Sequence, residues 1–275
     1  MNPVVSIQWL NDHLNDPDLV ILDASQENNV ANVAPEFPGI KIKHARLFDL
    51  DEDFSEPKTD LPHMLPAPEH FEKPARKLGI NQASKIVVYD NLGIYNSPRT
   101  WWMFKTMGHE NIAVLDGGLP AWKKAGYSCE PVSKPKVSPG NFVANLKPQL
   151  VKNAQEVLEN IQTKQASVVD ARSEGRFNAT SPEPREGLRG GHIPDSYNLP
   201  FQAVLRDGHF CSQEELKTLF QDLGVKKEPM IFSCGSGLTA AIILLAAELV
   251  MENPKSIYDG SWAEWGQLED YPIEP

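Results

Sequence analysis

A nucleophile with the means to activate it stands at Cys234. The run Met230-Ile231-Phe232-Ser233 is short and apolar, Cys234-Gly235-Ser236-Gly237-Leu238-Thr239 follows it, and Ala240 to Ala247 is apolar throughout. The pattern predicts a buried strand, a tight glycine loop and an apolar helix, with the cysteine at the strand-to-loop junction. Glycines at 235 and 237 let the backbone curl through conformations that other residues resist. Such a curl turns successive N–H groups toward one point, and the helix start adds its own unpaired donors. That setting favours a thiolate. Free cysteine is also a common core residue, but a plain strand-to-helix turn needs no pair of glycines. Ser236, two residues from the thiol, either solvates the loop or passes a proton between substrate and solvent.

A thiolate in an amide cradle can attack phosphorus or sulfur. Cysteine phosphatases place an Arg six residues after the cysteine to clamp phosphoryl oxygens, and here that position is Ala240. Phosphoryl transfer is therefore disfavoured. Attack on sulfur needs a smaller loop, because a single atom is transferred. The product is a persulfide on Cys234, held by the loop amides. No metal and no organic cofactor is called for, since the sulfur rides on the cysteine itself.

Positive charge is concentrated at Arg172, Arg176, Arg185 and Arg189, all in one stretch of an acidic chain. The planar guanidinium fork offers two parallel hydrogen bonds to a carboxylate or sulfonate. Any one of these arginines taken alone reads more simply as a solvated charge or the partner of a nearby acid.

The elements that must position these groups occur twice. Ile21-Leu22-Asp23-Ala24 is matched by Val168-Val169-Asp170-Ala171, the region of His44 by Gly191-His192-Ile193-Pro194, and Leu78-Gly79-Ile80 by Leu223-Gly224-Val225. Ile86 to Asp90 is matched by Met230 to Cys234, and Asp116-Gly117-Gly118 with Trp122 by Asp259-Gly260-Ser261 with Trp265. These landmarks keep their order at offsets of 143 to 148 residues. A long period with two copies is a duplicated domain, not a solenoid. Short buried strands alternating with amphipathic helices predict an α/β fold, a mainly parallel sheet flanked by helices in each copy. We read residues 1–127 as a first domain without chemistry, 128–150 as a proline-rich interdomain linker and 151–275 as the domain that carries Cys234. Asp90 stands where the second copy has Cys234, and the loop after it, Asn91-Leu92-Gly93-Ile94-Tyr95, lacks the alternating glycines. Sites gather at the carboxyl ends of strands in such sheets, which is where Cys234 falls. The paired occurrence of His44 and His192 favours structural roles, with His44 kept as a candidate for lining the cleft.

Bulk composition narrows the partners. Against 37 acidic residues the 275-residue chain has 26 Lys and Arg, a net charge of −11. That disfavours nucleic acid, which needs a positive surface. Three cysteines, Cys129, Cys211 and Cys234, are too few and too odd for a disulfide framework. The longest apolar run is shorter than the about 20 residues a membrane span needs. The N-terminus lacks the basic start of a secretory signal. The expectation is a cytoplasmic protein with no membrane partner.

At this point the residues carry a family resemblance. Leu61-Pro62-His63-Met64-Leu65-Pro66, Arg99-Thr100-Trp101-Trp102, Gly175-Arg176-Phe177-Asn178, Glu183-Pro184-Arg185, the Cys234 to Ala240 loop and Tyr258 to Gly266 resemble tandem-domain rhodaneses, in particular their bacterial mercaptopyruvate sulfurtransferase branch. The resemblance covers nearly the whole chain and implies two rhodanese-like domains. It implies that Arg176 and Arg185 hold the substrate, and that Gly235, Gly237, Leu238 and Thr239 form the substrate loop around Cys234 and Ser236. Thiosulfate-preferring members carry Arg and Lys after the cysteine, which suits a dianion. Neutral Gly235 and Ser236 suit a monoanionic keto acid. The first copy departs from the pattern, with Lys43-His44-Ala45-Arg46 after an extra stretch, Gly39 to Ile42. The reading that follows is sulfur transfer from 3-mercaptopyruvate through a Cys234 persulfide to cyanide or a thiol such as thioredoxin, releasing pyruvate. Two alternatives stand beside it: thiosulfate as the main donor, and a non-catalytic sulfur-carrying or regulatory module.

Overall fold

The short apolar runs form the strands that their patterning predicts. The computed structural model describes residues 1–26, 33–133, 135–225 and 227–275. The chain divides into two compact units. One comprises Met1–Pro57, Leu65–Lys147 and Asp207–Phe210, and the other Lys58–Met64, Pro148–Arg206 and Cys211–Pro275.

The first unit holds a five-stranded sheet in the order Val4–Val5, Ile112–Leu115, Lys85–Tyr89, Leu19–Asp23, Arg46–Leu47. Every pairing is parallel. The second unit repeats it with Val151–Lys152, Lys255–Tyr258, Met230–Ser233, Ser167–Asp170 and Tyr197–Asn198, again all parallel. The order is the same in both, so the duplication read from the offsets is a duplication of topology. Parallel strands covered on both faces read as continuous apolar runs rather than alternating ones, and residues 230–233 and 86–89 are buried throughout.

Local signals set the helix starts. Ser6 accepts from the Trp9 N–H at 3.1 Å and opens the helix Ile7–His13. Asn153 with Glu156 and Ser212 with Glu215 form reciprocal capping boxes on the helices Ala154–Thr163 and Gln213–Asp222. The helix Ala240–Glu248 has no polar stripe, and all of its residues but Glu248 are buried. A helix that is apolar all round belongs inside a protein. Its N-terminus therefore sits fixed beside the cysteine loop. Among the described residues no helix is long and apolar enough to cross a membrane.

Two segments differ from their expectation. Cys129–Pro131, inside the stretch read as a linker, pairs antiparallel with Ile40–Ile42, the extra stretch of the first copy. The pairing buries Lys41, whose Nζ donates to the Ala45 carbonyl at 2.7 Å and to Glu130. Phe142, in the same stretch, is buried with its ring 5.8 Å from those of Phe71 and Phe104. Prolines and weak periodicity do not report where one strand triplet or one aromatic ring lands. The polar, proline-broken stretch from Ser25 to Pro38, whose composition reads as a loop, lies in part, at residues 27–32, outside the described residues.

Candidate active site

The strand Met230–Ser233 delivers Cys234 to the carboxyl edge of the second sheet, where the residue is buried. Its backbone is held from both sides. The Cys234 N–H donates to Ser261 Oγ at 3.2 Å. The N–H groups of Trp262 and Ala263 donate to the carbonyls of Cys234 and Gly235, each at 2.9 Å. Ser261 in turn donates its hydroxyl to the Tyr258 carbonyl at 2.8 Å. It reaches this position with a left-handed φ of 50°, a conformation that a non-glycine residue keeps only when its surroundings hold it there.

The two loop glycines serve different ends. Gly237 has φ 74° and supplies the left-handed curl. Gly235 has no such φ. A Cβ on it would meet Arg176 Nη2 at 3.0 Å, so glycine leaves room for a guanidinium to lie against the loop. Among the described residues, the N–H groups of Gly235, Ser236, Gly237, Leu238 and Thr239 donate to no protein acceptor. Leu238 is buried, and Thr239 precedes the helix without capping it through its side chain.

Ser236 is buried, and its Oγ lies 3.1 Å from Nδ1 of His63. His63 comes from the segment Lys58–Met64 that groups with the second unit, and it too has a left-handed φ, 60°. A hydroxyl in contact with an imidazole can pass a proton in either direction. Among the described residues, this is the histidine with a hydrogen-bond contact to the loop. His44 lies exposed on the first unit, donates its N–H to Glu130 at 3.3 Å and borders a surface depression with Leu14, Asp16 and Arg46. The loop from Phe54 to Pro68 reads as proline-rich surface, and the one local signal for His63 is its place between Pro62 and Pro66.

The four arginines separate by partner. Arg189 donates to the carbonyls of Trp265, Gly266, Leu268 and Tyr271 and ties down the C-terminal turn. Arg172 is fully buried, paired with Asp170 at 2.7 Å and with Glu183 at 2.8 Å, and stacked 4.0 Å from the Trp262 ring centroid. Burial works against its charge, but the two carboxylates outweigh that and hold its pKa above the ordinary value. Arg176 pairs with Glu183 through Nε and Nη2, the latter at 2.6 Å, while its Nη1 donates to no protein acceptor among the described residues. Arg185 is half-buried, with no hydrogen bond or ion pair to protein among the described residues. The structure thus brings Cys234, Ser236, Gly235 and Arg176 together and adds His63, Ser261 and Glu183. Among the described residues it gives Arg185 no hydrogen bond or ion pair to that loop. His192 stacks on Phe177 at 3.7 Å and sits 3.0 Å from the Phe177 carbonyl.

The other two thiols stand in different settings. Burial pushes the Cys129 thiol up, with Lys123 offsetting only part of it. Burial and the nearby Glu215 do the same to Cys211. Neither sits in an amide loop.

Comparison with known proteins agrees with the topology. Residues 6–125 and 153–268 each match the model of the rhodanese-like domain. The chain is 41% identical over 276 residues to the 3-mercaptopyruvate sulfurtransferase of Escherichia coli strain K12, covering 98% of this chain and 97% of that one. It is 40% identical over 297 residues to the mitochondrial thiosulfate/3-mercaptopyruvate sulfurtransferase 1 of Arabidopsis thaliana, covering 99% and 78%. The crystal structure of an Escherichia coli 3-mercaptopyruvate sulfotransferase superposes with a TM-score of 0.83 at 37% identity, over 96% of this chain and all of that one. Two copies of one sheet topology, a cysteine loop at the carboxyl edge of the second, and full-length relatives at this identity make the chain a member of the rhodanese-like family.

Proposed function

We propose that the chain is a 3-mercaptopyruvate sulfurtransferase whose reacting thiol lies in the Cys234 half, 151–275, joined through 128–150 to a supporting first half, 1–127, whose sequence supplies His63. The observation that carries the reading is the Cys234 loop itself: unpaired amides, a neutral Gly235 and Ser236, and a guanidinium laid against it.

Arg176, through its free Nη1, and Arg185 hold the carboxylate and carbonyl of the keto acid, and the loop from Gly235 to Thr239 shapes the pocket around the reacting sulfur. The Cys234 thiolate attacks the sulfur of mercaptopyruvate. The new S–S bond forms as the substrate C–S bond breaks, and its electron pair leaves as the enolate of pyruvate. Ser236, relayed by His63, supplies the proton that turns the enolate into pyruvate. The persulfide left on Cys234 is held by the loop amides. An acceptor thiol such as that of thioredoxin, or cyanide, then attacks the outer sulfur and frees the thiolate. The sulfur itself travels on Cys234. The largely buried loop favours small donors, and we place the protein in the cytoplasm.

The test is pyruvate release from mercaptopyruvate together with intact mass after donor treatment. The expected result is a gain of one sulfur atom, lost in Cys234→Ser along with turnover. Undiminished turnover in Cys234→Ser would sink the mechanism. Thiosulfate as main donor remains the second reading, favoured by the name of the Arabidopsis relative; a clear kcat/KM preference for thiosulfate would establish it. Failure of both donors to load Cys234 would leave a non-catalytic module.

A further inference from the structure

Glu183 is a carboxylate with 3% of its side chain exposed, placed between two arginines. On one side is Arg172, held by Asp170, by the Gly191 carbonyl at 2.8 Å and by the Trp262 ring. On the other side is Arg176, 21% exposed, whose Nη2 lies against Gly235. Asp170 is itself fixed, since it ends the strand that pairs with the cysteine strand in the register Ser233↔Asp170. A continuous chain of contacts therefore runs from the sheet through Asp170, Arg172 and Glu183 to Arg176 and the loop.

The charges along that chain alternate. Asp170 and Glu183 balance Arg172 and Arg176, so the guanidinium at the loop arrives with its charge already compensated. A buried carboxylate shared by two cations costs desolvation that only such pairing repays. A long Arg side chain also loses rotamer freedom when it is held in one place. Glu183 absorbs both costs before any substrate binds. The compensated charge matters for the choice of donor. Coulomb attraction scales with ligand charge, so an uncompensated cation at the loop would favour a dianion over a monoanion.

We propose that Glu183 is the positioning residue that sets donor preference: it holds Arg176 against the Cys234 loop and cancels its charge there. The inference rests on the sulfurtransferase reading above and names a determinant of its specificity outside the loop. Glu183→Gln keeps the size and one acceptor oxygen but removes the charge. The ratio of kcat/KM for mercaptopyruvate to that for thiosulfate should fall about tenfold, equivalent to about 1.4 kcal/mol. The change should appear in KM rather than kcat, and added salt should reverse little of it, because a buried pair is weakly screened. Glu183→Asp, which keeps the charge at shorter reach, should lower both donors while leaving the ratio near that of the wild type. Should Glu183→Gln fail to fold, Glu183→Asp carries the test, because it keeps the charge and the ratio should stay near the wild-type value while both donors lose kcat/KM. Equal losses with both donors in Glu183→Gln, or a ratio that shifts as far in Glu183→Asp as expected for Glu183→Gln, would overturn the proposal. A wild type that releases no pyruvate would instead sink the reading on which it rests.

Discussion

After the strand Lys85–Tyr89 the chain turns around Asp90, and after the strand Met230–Ser233 it turns around Cys234. The two turns are held in the same way. The Leu119 N–H donates to the Asp90 carbonyl at 3.0 Å, and the Trp262 N–H donates to the Cys234 carbonyl at 2.9 Å. Gly118 and Ser261, the residues before those donors, both have left-handed φ, 52° and 50°. What the loops enclose differs. The buried Asp90 carboxylate accepts from the N–H groups of Leu92, Tyr95, Asn96 and Ser97 at 2.9–3.0 Å and from the Ser97 hydroxyl at 2.7 Å. The first loop is an anion cradle filled by its own side chain. The second presents the amides of residues 235–239 with no protein acceptor among the described residues. One fold thus builds the same device twice, once satisfied internally and once left for a guest.

The difference extends to the neighbours. A Cβ on Gly118 would lie 2.5 Å from the carbonyl oxygens of Asp90 and Gly93, so the first loop closes onto that turn. Ser261 has room for its side chain and uses it to take the Cys234 N–H. The second loop also has Ser236 and His63. Replacing either with a residue that cannot move a proton, Ser236→Ala or His63→Phe, should lower kcat for mercaptopyruvate by roughly 10²–10⁴-fold. The double variant should be little worse than the poorer single one, because the two act as a unit. Thiosulfate needs no such proton, since sulfite leaves as an anion, and its turnover should fall far less. Equal losses with both donors would show that Ser236 and His63 shape the loop rather than serve the enolate.

Removal of the central side chain probes the cradles directly. Asp90→Ala strips the acceptor from four amides and a hydroxyl in a buried loop, which should cost roughly 2–5 kcal/mol of stability. Cys234→Ala removes no hydrogen-bond acceptor that the loop uses and should cost about 1 kcal/mol through lost packing. Denaturant midpoints of the two variants decide it. Equal losses would mean that the second loop is also held together by its central residue, and the comparison would fail.

How much of this was legible in the sequence depends on the distance between partners. The strand, loop and helix around Cys234 are a local pattern, and the duplication follows from landmarks at a common offset. Both are visible in the residues alone. The meeting of His63 with Ser236 spans 173 residues, and no periodicity links a proline-flanked surface loop to a glycine loop. Gly235 reads in the sequence as one of two glycines that let the backbone curl, whereas its structural reason is the guanidinium of Arg176. The arginine concentration was visible, but only the partners separate Arg189 on carbonyls and Arg172 in the core from Arg176 at the loop. The pairing of Ile40–Ile42 with Cys129–Pro131 was hidden because one side lies in a proline-rich stretch and the other has no counterpart in the second copy.

The smallest expected effect concerns the acids that end the equivalent strands, Asp23 and Asp170. Asp170 faces the Arg172 guanidinium. Asp23 has no ion pair among the described residues and is met by the Tyr89 hydroxyl at 2.8 Å and the Ser25 N–H at 3.0 Å. Burial pushes the Asp23 carboxyl above its ordinary value of 3.8, the hydrogen bonds from Ser25 and Tyr89 offset only part of this, and the charge of Asp90 adds to it. A carboxyl whose pKa is raised on folding binds its proton more tightly in the folded state. Its stabilising contribution is complete below the unfolded value and is lost as pH rises through the folded one. Asp23→Asn mimics the protonated form and has no such loss. Denaturant midpoints of wild type and variant should therefore diverge as pH climbs above 3.8, with the variant gaining relative to the wild type. Curves that stay parallel from acid to neutral pH would show that Tyr89 and Ser25 compensate the charge of Asp23 as fully as Arg172 compensates that of Asp170.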